Sequence, residues 1–129
     1  MPLFMHQAAY TSESIAAQTR NPQNRIEVAT RPAVEAVGGK LITGGFSLGE
    51  FDVIAIFEAP DDVSAAIVAL AVNAGGAIKS SRTTRLLSGD EWVEALQKTS
   101  VVSEIYRPAL PDPLVDENSI ETARYRGYL

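Results

Sequence analysis

Residues 63–72 contain no charged side chain, and this stretch constrains the fold more than any other part of the chain. It begins after Asp61 and Asp62, either of which can cap a helix, and it stops before Gly75, a residue type that commonly ends one. A surface helix of a monomer normally keeps a polar stripe on the side that faces water. We therefore expect this helix to be covered twice, by its own sheet and by a partner subunit.

The elements around this helix follow a recognisable order. A strand near residues 3–9 precedes a helix that Thr11 or Ser12 can cap. A second helical stretch, two strands with the sequences "KLITGGFSL" and "EFDVIAIFEA", the uncharged helix, a strand and a last helix after Ser88 then follow. This order predicts an α+β, ferredoxin-like βαββαβ domain with an extra C-terminal helix.

Two local features modify these elements. Pro32 lies inside the second helical stretch, where it removes a backbone donor, so we expect a kink near residues 28–31 or two short helices. Gly44 and Gly45 lie inside a strand, which favours a bulge or the close approach of another backbone or ligand.

The end of the chain differs in composition. Residues 101–106 are interpreted as a further strand or an extended arm, and Pro108, Pro111 and Pro113 exclude a helix after it. The predicted organisation is a domain over residues 1–107 and an extended tail over residues 108–129. The alternatives for the tail are disorder and packing on a neighbouring subunit, and the second is favoured because the tail retains several large apolar side chains.

Composition excludes several functions. The chain has 129 residues and no cysteine, which suits one domain without disulfides or thiolate metal sites. Its net charge of −5 and its scattered arginines disfavour nucleic-acid binding. No stretch approaches a secretion signal or a membrane span, so we expect a cytoplasmic protein without a membrane partner.

Four motifs resemble the GYD-domain family, and the resemblance covers about residues 3–98. They are "GGKL" at 38–41, "GEFD" at 49–52, "VIAIFEAPDD" at 53–62 and "RTTRLL" at 82–87. The Gly-Tyr-Asp motif of the family corresponds to Gly49, Phe51 and Asp52, so phenylalanine replaces the tyrosine. If the family uses the phenol hydroxyl chemically, this chain lacks it; if the ring only packs, nothing is lost.

The resemblance implies a fold and an assembly more than a reaction. The family is similar to dimeric α/β barrels, in which the open sheet faces of ferredoxin-like units pair and enclose a cavity. We expect a dimer through the sheet face, and a larger ring or hexamer through the uncharged helix and the tail. The implied function is small-molecule binding or structural assembly. The alternative is a cofactor-independent monooxygenase, isomerase or lyase acting in the barrel, because fold does not fix function.

Two carboxylates precede the most convincing strand. Glu50 and Asp52 would share a face of a regular strand, about 7 Å apart, and could flank a substrate. They could equally be strand-end residues, with Asp52 bonded to loop amides or to Arg82 or Arg85. Glu50 is therefore a candidate ligand contact and Asp52 a candidate catalytic base.

His6 is the only histidine and the second catalytic candidate. By strand alternation it shares a face with Phe4, Ala8 and Tyr10. If that face is the barrel side, His6 and Tyr10 line the cavity; a hydrogen-bonded structural histidine is the alternative.

Arg82 and Arg85 complete the candidate ligand-binding set. They point to opposite faces of a strand, so only one can hold an anionic ligand in a cavity. We predict no metal and no cofactor, because the sequence has no ligand spacing or phosphate-binding loop that would hold one.

Overall fold

The computed structural model describes residues 1–111, which divide into one compact unit over Met1–Gly89 and a second unit that begins at Asp90. The first unit contains β1 (Leu3–Tyr10), α1 (Ser12–Arg20), a π-helical turn (Ile26–Thr30), α2 (Arg31–Ala36), β2 (Lys40–Phe46), β3 (Val53–Glu58), α3 (Asp62–Ala74) and β4 (Ile78–Leu86). Helix α4 (Gly89–Gln97) begins at the boundary, and α5 (Ser100–Ser103) belongs to the second unit. The predicted domain limit at residue 107 stays a prediction, and most of the predicted tail lies outside the described residues.

The four strands form one antiparallel sheet in the order β2-β3-β1-β4. The central strands are β1 and β3, with Phe4 opposite Phe57 and His6 opposite Ala55. Strand β4 pairs with the other side of β1, where Thr83 stands opposite His6. Strand order and element order together confirm the ferredoxin-like α+β fold.

The helix starts agree with the local sequence signals. The Thr11 hydroxyl accepts a hydrogen bond from the Ser14 amide at 3.2 Å, and it caps α1. The Asp61 carboxylate accepts one from the Ser64 amide at 2.8 Å, and it caps α3, which ends at Gly75. Each cap satisfies a backbone donor that the first turn of a helix leaves without a partner.

The helix interruption at Pro32 takes the form of a π-helical turn. Over Ile26–Thr30 the hydrogen-bonding step lengthens, and the Arg31 amide donates to the Ile26 carbonyl five residues earlier. Helix α2 then begins at Arg31, with Pro32 in its first turn, where a missing N–H group is tolerated. The predicted break into two short helical segments is confirmed, and its cause is the donor that proline lacks.

The glycine pair in β2 lies next to a register shift and to a close approach of another backbone, the two features predicted from its sequence as alternatives. The pairing of β2 with β3 shifts register between Leu41 and Thr43, just before the glycines. A Cβ atom on Gly44 would lie 2.9 Å from the Ile54 carbonyl oxygen and 3.1 Å from the Ile26 side chain. Glycine therefore lets the backbones of β2 and β3, and the π-helical turn, come close together.

The two faces of the sheet have different roles. Phe4 and Ala8 of β1, with Val53, Ala55 and Phe57 of β3, form a buried core with Ile26, Val34 and Ala65 from the helical segments. The opposite face carries the alternate residues of the same strands, including the half-buried Leu3, Met5, Ile54 and Ile56. His6 belongs to the face that packs against the helices.

Within residues 1–111, helix α3 buries only one of its sides. Ala65 and Val68 are buried against the core, whereas Val63 and Leu70 on the other side are 69% and 68% exposed. The sheet of the same chain therefore packs against one side of α3, as predicted. That a partner subunit packs against the other side stays a prediction.

Two expected elements are corrected. Strand β3 begins at Val53, so Glu50 and Asp52 precede it and do not share a strand face. Residues 101–106 are neither a strand nor an extended arm, because they contain the end of α5 and a turn. Within residues 1–111, no helix has the length and apolarity needed to cross a bilayer.

Candidate functional site

A cavity of about 380 Å³ lies between the sheet and the helical layer of the first unit. Its floor comes from β1, β3 and β4, and its walls come from the π-helical turn, α2 and α3. The apolar lining includes Val34, Val53, Phe57, Val68, Val72 and Ile78, and the polar lining comprises His6, Tyr10, Arg25 and Thr30. A largely apolar space with a few polar groups is typical of small-molecule sites.

His6 is the most unusual group in this cavity. It is only 8% exposed, and its Nδ1 atom shares a hydrogen bond of 2.8 Å with the Thr83 hydroxyl. Its Nε2 atom is buried and has no hydrogen-bond partner within residues 1–111. Burial lowers the pKa of His6, because desolvation disfavours the imidazolium form, so the ring is neutral near pH 7. A neutral imidazole with one unsatisfied nitrogen can either donate one hydrogen bond to a ligand or accept one from it.

Tyr10 and Arg25 supply the second polar region of the lining. Burial raises the pKa of Tyr10, the charge of Arg25 opposes that rise, and the charge of Asp52 adds to it. Tyr10 therefore stays a neutral phenol near pH 7 and can act as a hydrogen-bond donor. Arg25 contributes a cationic, planar guanidinium that carries several N–H donors.

The π-helical turn explains how Arg25 reaches this cavity. Arg25 immediately precedes the turn, and Ala29 and Thr30 within it also line the cavity. The Asn24 side chain holds the start of the turn by accepting a hydrogen bond from the Ile26 amide at 3.2 Å. The wider helical step therefore places one charged and one hydroxyl side chain beside small residues that leave space.

Sequence reasoning missed Arg25 and Thr30. The available signal for Arg25 was its spacing, because Arg25, Ala29 and Ala33 recur every four residues along one side of a helical stretch. That spacing places Arg25 on the side of the helix that carries the small residues lining the cavity. Thr30 does not belong to this series.

The structure places Asp52 in a structural position. Its Oδ2 atom accepts a hydrogen bond of 2.8 Å from the Tyr10 amide, and its own amide donates to the Ala8 carbonyl at 2.9 Å. It thereby ties the entry of β3 to the end of β1. Of the two roles considered for Asp52, the bond to a backbone amide is the one found. Asp52 is not among the residues that line the cavity.

The aromatic position of the motif is occupied by a buried ring. Phe51 is 8% exposed, and the guanidinium carbon of Arg82 lies 5.6 Å from its ring centroid. A cation at this distance from an aromatic face is attracted by the ring quadrupole. The ring at position 51 therefore packs under Arg82, and this packing needs no phenol hydroxyl.

These motif residues coincide with a family match. The GYD domain matches residues 4–96. The chain belongs to the GYD-domain family. This match confirms the resemblance carried by Gly49, Phe51 and Asp52. It begins at the second residue of β1 and ends in α4, so it includes residues of all four strands. The comparison with curated proteins gives no match for this GYD domain.

The remaining predicted site residues lie apart from the cavity. Arg82 stands opposite Gln7 in the sheet and contacts Phe51, whereas Arg85 stands opposite Phe4. Arg85 lies 5.9 Å from the Phe4 ring centroid and 4.0 Å from the Asp62 carboxylate. The two arginines thus lie on opposite faces, as strand alternation predicts, but the described cavity lining includes neither.

Glu50 is exposed and lies in a bend before β3. Of the predicted site residues, the structure brings only His6 and Tyr10 together around the cavity. Across the described part of the chain, no group of three or more acidic or histidine side chains is arranged to hold a metal ion.

The two motif carboxylates should differ in their effect on stability. We expect Asp52→Ala to lower the free energy of unfolding by about 1.5–3 kcal/mol, because the charged acceptor of the Tyr10 amide is lost. Glu50→Ala removes an equal charge from an exposed bend and should change it by less than about 0.5 kcal/mol. Urea denaturation of both variants measures the difference. Equal losses would contradict the structural role of Asp52.

The buried imidazole predicts a pH dependence of stability. The pKa of His6 is lowered in the folded state, so the unfolded chain takes up a proton first as the pH falls below about 6.5. The contribution of neutral His6 to stability is therefore complete above that pH and declines below it. Urea denaturation between pH 8 and pH 5.5 should show a steeper loss for the wild type than for His6→Gln. Parallel curves would contradict burial of a neutral imidazole, since the chain has no other histidine.

Proposed function

We propose that this GYD domain binds a small, largely apolar organic molecule in the cavity between its sheet and helices α2 and α3. The observation that carries the proposal is the buried Nε2 atom of His6, which has no hydrogen-bond partner within residues 1–111. Leaving a buried polar atom unsatisfied costs about 1–3 kcal/mol, and such atoms are rare in folded proteins. A ligand that fills the apolar space and bonds to Nε2 removes that cost.

Binding is better supported than catalysis. The cofactor-independent reaction considered from the sequence uses His6 or Asp52 as base and an arginine to hold an anionic group, and it predicts that all three converge on one cavity in the barrel. The cavity instead lies under the helices, and the Asp52 carboxylate binds the Tyr10 amide. Its polar lining of His6, Tyr10, Arg25 and Thr30 contains no carboxylate that could serve as a base within the described residues.

Cavity-filling variants test the site directly with the neutral fluorophore N-phenyl-1-naphthylamine as probe. Ala33 lines the cavity and Ala36 is exposed on the same helix, so Ala33→Phe and Ala36→Phe form a matched pair. We expect the wild type and Ala36→Phe to bind the probe, and Ala33→Phe to weaken binding at least about tenfold.

A second filler on another helix separates blockage from misfolding. Ala71 of α3 also lines the cavity, and Ala71→Phe should weaken probe binding while circular dichroism shows an intact fold. The proposal fails if the wild type does not bind the probe, or if the two fillers bind it as well as Ala36→Phe.

We also propose that the domain works as a homo-oligomer, with a dimer formed through the sheet face opposite the helices. The half-buried apolar residues Leu3, Met5, Ile54 and Ile56 on that face support the proposal. The exposed apolar side of α3 supports a second contact that builds a larger ring or hexamer. Both surfaces are chemically suited to a second copy of this chain, because apolar area is costly to leave in water.

Multi-angle light scattering tests the assembly. We expect the wild type to have at least twice the mass of the chain. Ile54→Glu should reduce the assembly by disrupting the sheet-face contact, whereas Ala74→Glu at the end of α3 should leave that contact intact. A monomeric wild type would contradict the assembly proposal without affecting the proposal for the cavity.

A further inference from the structure

The interior cavity adjoins a second space on its α1 side. An outer cleft of about 420 Å³ lies beside α1 and includes Thr11, Glu13, Ser14 and Gln18 in its lining. Four residues line both spaces, namely Tyr10, Arg25, Gly75 and Ala77. They form a boundary, which we call the neck, between the apolar interior and the more polar outer cleft.

Arg25 is the charged group of this neck. Among the described residues that line the interior cavity, it is the only one with a permanent charge, because burial keeps His6 and Tyr10 neutral near pH 7. Within residues 1–111, its guanidinium makes no ion pair, whereas Arg31 pairs with Glu27 at 2.7 Å. Arg25 is half-buried as a residue, and an arginine without a carboxylate partner is a strong site for an anion from outside the chain.

The polar groups are therefore ordered from the inside outwards. His6 lines the apolar cavity, and its buried Nε2 atom has no hydrogen-bond partner within residues 1–111, whereas Arg25 lies at the neck and offers a positive charge. The next charged group along the outer cleft is the carboxylate of Glu13, which repels anions. A ligand with one acidic group is best placed with that group at Arg25 and its apolar part inside.

We propose that the ligand is an amphipathic organic anion, with an apolar body in the interior cavity and a single acidic group bound by Arg25 at the neck. This inference rests on the proposed function, because it assigns the chemical class of the molecule that fills the same cavity. The planar guanidinium matches the two oxygens of a carboxylate, or two of the oxygens of a sulfonate. The low polarity of the surrounding lining strengthens that attraction relative to water.

Two probes with the same ring system test the charge requirement. N-phenyl-1-naphthylamine is neutral, and 8-anilinonaphthalene-1-sulfonate carries one negative charge on the same arylamine. We expect the wild type to bind the anionic probe more tightly. Arg25→Gln should weaken binding of the anionic probe about tenfold and leave the neutral probe within about twofold.

Matched variants separate the neck from general electrostatics. Arg20→Gln removes the same charge from an exposed position on α1 and should leave the affinity for both probes unchanged. Arg25→Lys keeps the charge without the planar fork and should retain part of the preference for the anion. Ala33→Phe should weaken both probes, which shows that the anionic probe occupies the cavity and not an exposed apolar surface.

The outcomes distinguish the two proposals. If the neutral probe binds in the cavity but Arg25→Gln does not change the affinity for the anionic probe, the anion inference is wrong and the proposed function stands. An equal loss in Arg20→Gln would also overturn the role of Arg25. If neither probe binds the wild type, the proposed function itself fails.

Discussion

Replacing Phe57 by alanine lowers the free energy of unfolding by about 3–5 kcal/mol. The side chain lies near the end of β3, is 1% exposed and stacks on Phe4 with ring centroids 5.6 Å apart. Truncation removes this aromatic contact and the burial of a large apolar surface. It also enlarges the cavity that Phe57 lines, so the surrounding core loses contacts that it cannot regain by a small shift.

Phe46→Ala is the matched control for this prediction. Phe46 ends β2 and is 55% exposed, so the same chemical change there should cost less than about 1.5 kcal/mol. Equilibrium denaturation in urea gives both values. A loss at Phe57 no larger than the loss at Phe46 would show that the helices do not pack on this face of the sheet.

Gly39→Ala is the second substitution with a large expected effect, at about 3 kcal/mol of lost stability. A Cβ atom at this position would lie 2.3 Å from the Glu58 carbonyl oxygen and 3.0 Å from the Val34 carbonyl oxygen. Both are backbone atoms held by β3 and by the end of α2, so neither can move independently. The substitution would force β2 away from β3 at the point where the sheet edge begins.

Gly45→Ala provides the comparison within the adjoining strand. A Cβ atom at Gly45 would meet no atom within 4 Å, and the backbone there has no positive φ. We expect a change within about 0.5 kcal/mol, or a small gain from the reduced entropy of the unfolded chain. Thermal unfolding of the two alanine variants should differ by many degrees, and equal melting temperatures would contradict the close approach at Gly39.

Features set by local sequence could be predicted. The caps at Thr11 and Asp61, and the break at Pro32, depend on residues within a few positions of one another. Such short-range signals act through backbone hydrogen bonds that one segment can satisfy alone. The order of these segments was then sufficient to predict the ferredoxin-like sheet.

The face of the sheet that receives the helices could not be predicted from β1. Both of its alternating sets are apolar, with Phe4 and Ala8 in one and Leu3 and Met5 in the other. Alternation therefore grouped His6 with Tyr10 correctly but left open whether that face was the barrel side. The structure places it under α2 and α3, where the packing of distant segments decides the answer.

The carboxylates show a second limit of sequence reasoning. Glu50 and Asp52 were expected to continue the strand, but the Asp52 side chain binds the Tyr10 amide and the regular strand begins only at Val53. A partner 42 positions away in the sequence sets that boundary. Arg25 was missed for a related reason, since its place at the cavity depends on how the π-helical turn packs against the sheet and α2.

The position of a bound probe tests the central claim most directly. Isotope-filtered nuclear Overhauser measurements on the complex with N-phenyl-1-naphthylamine report which methyl groups contact the ring protons. Binding in the interior cavity predicts contacts to Val34, Val68 and Ile78, which line it. Contacts to Ile54 and Ile56 on the opposite face of the sheet would contradict this account and place the ligand at the face that dimeric barrels pair.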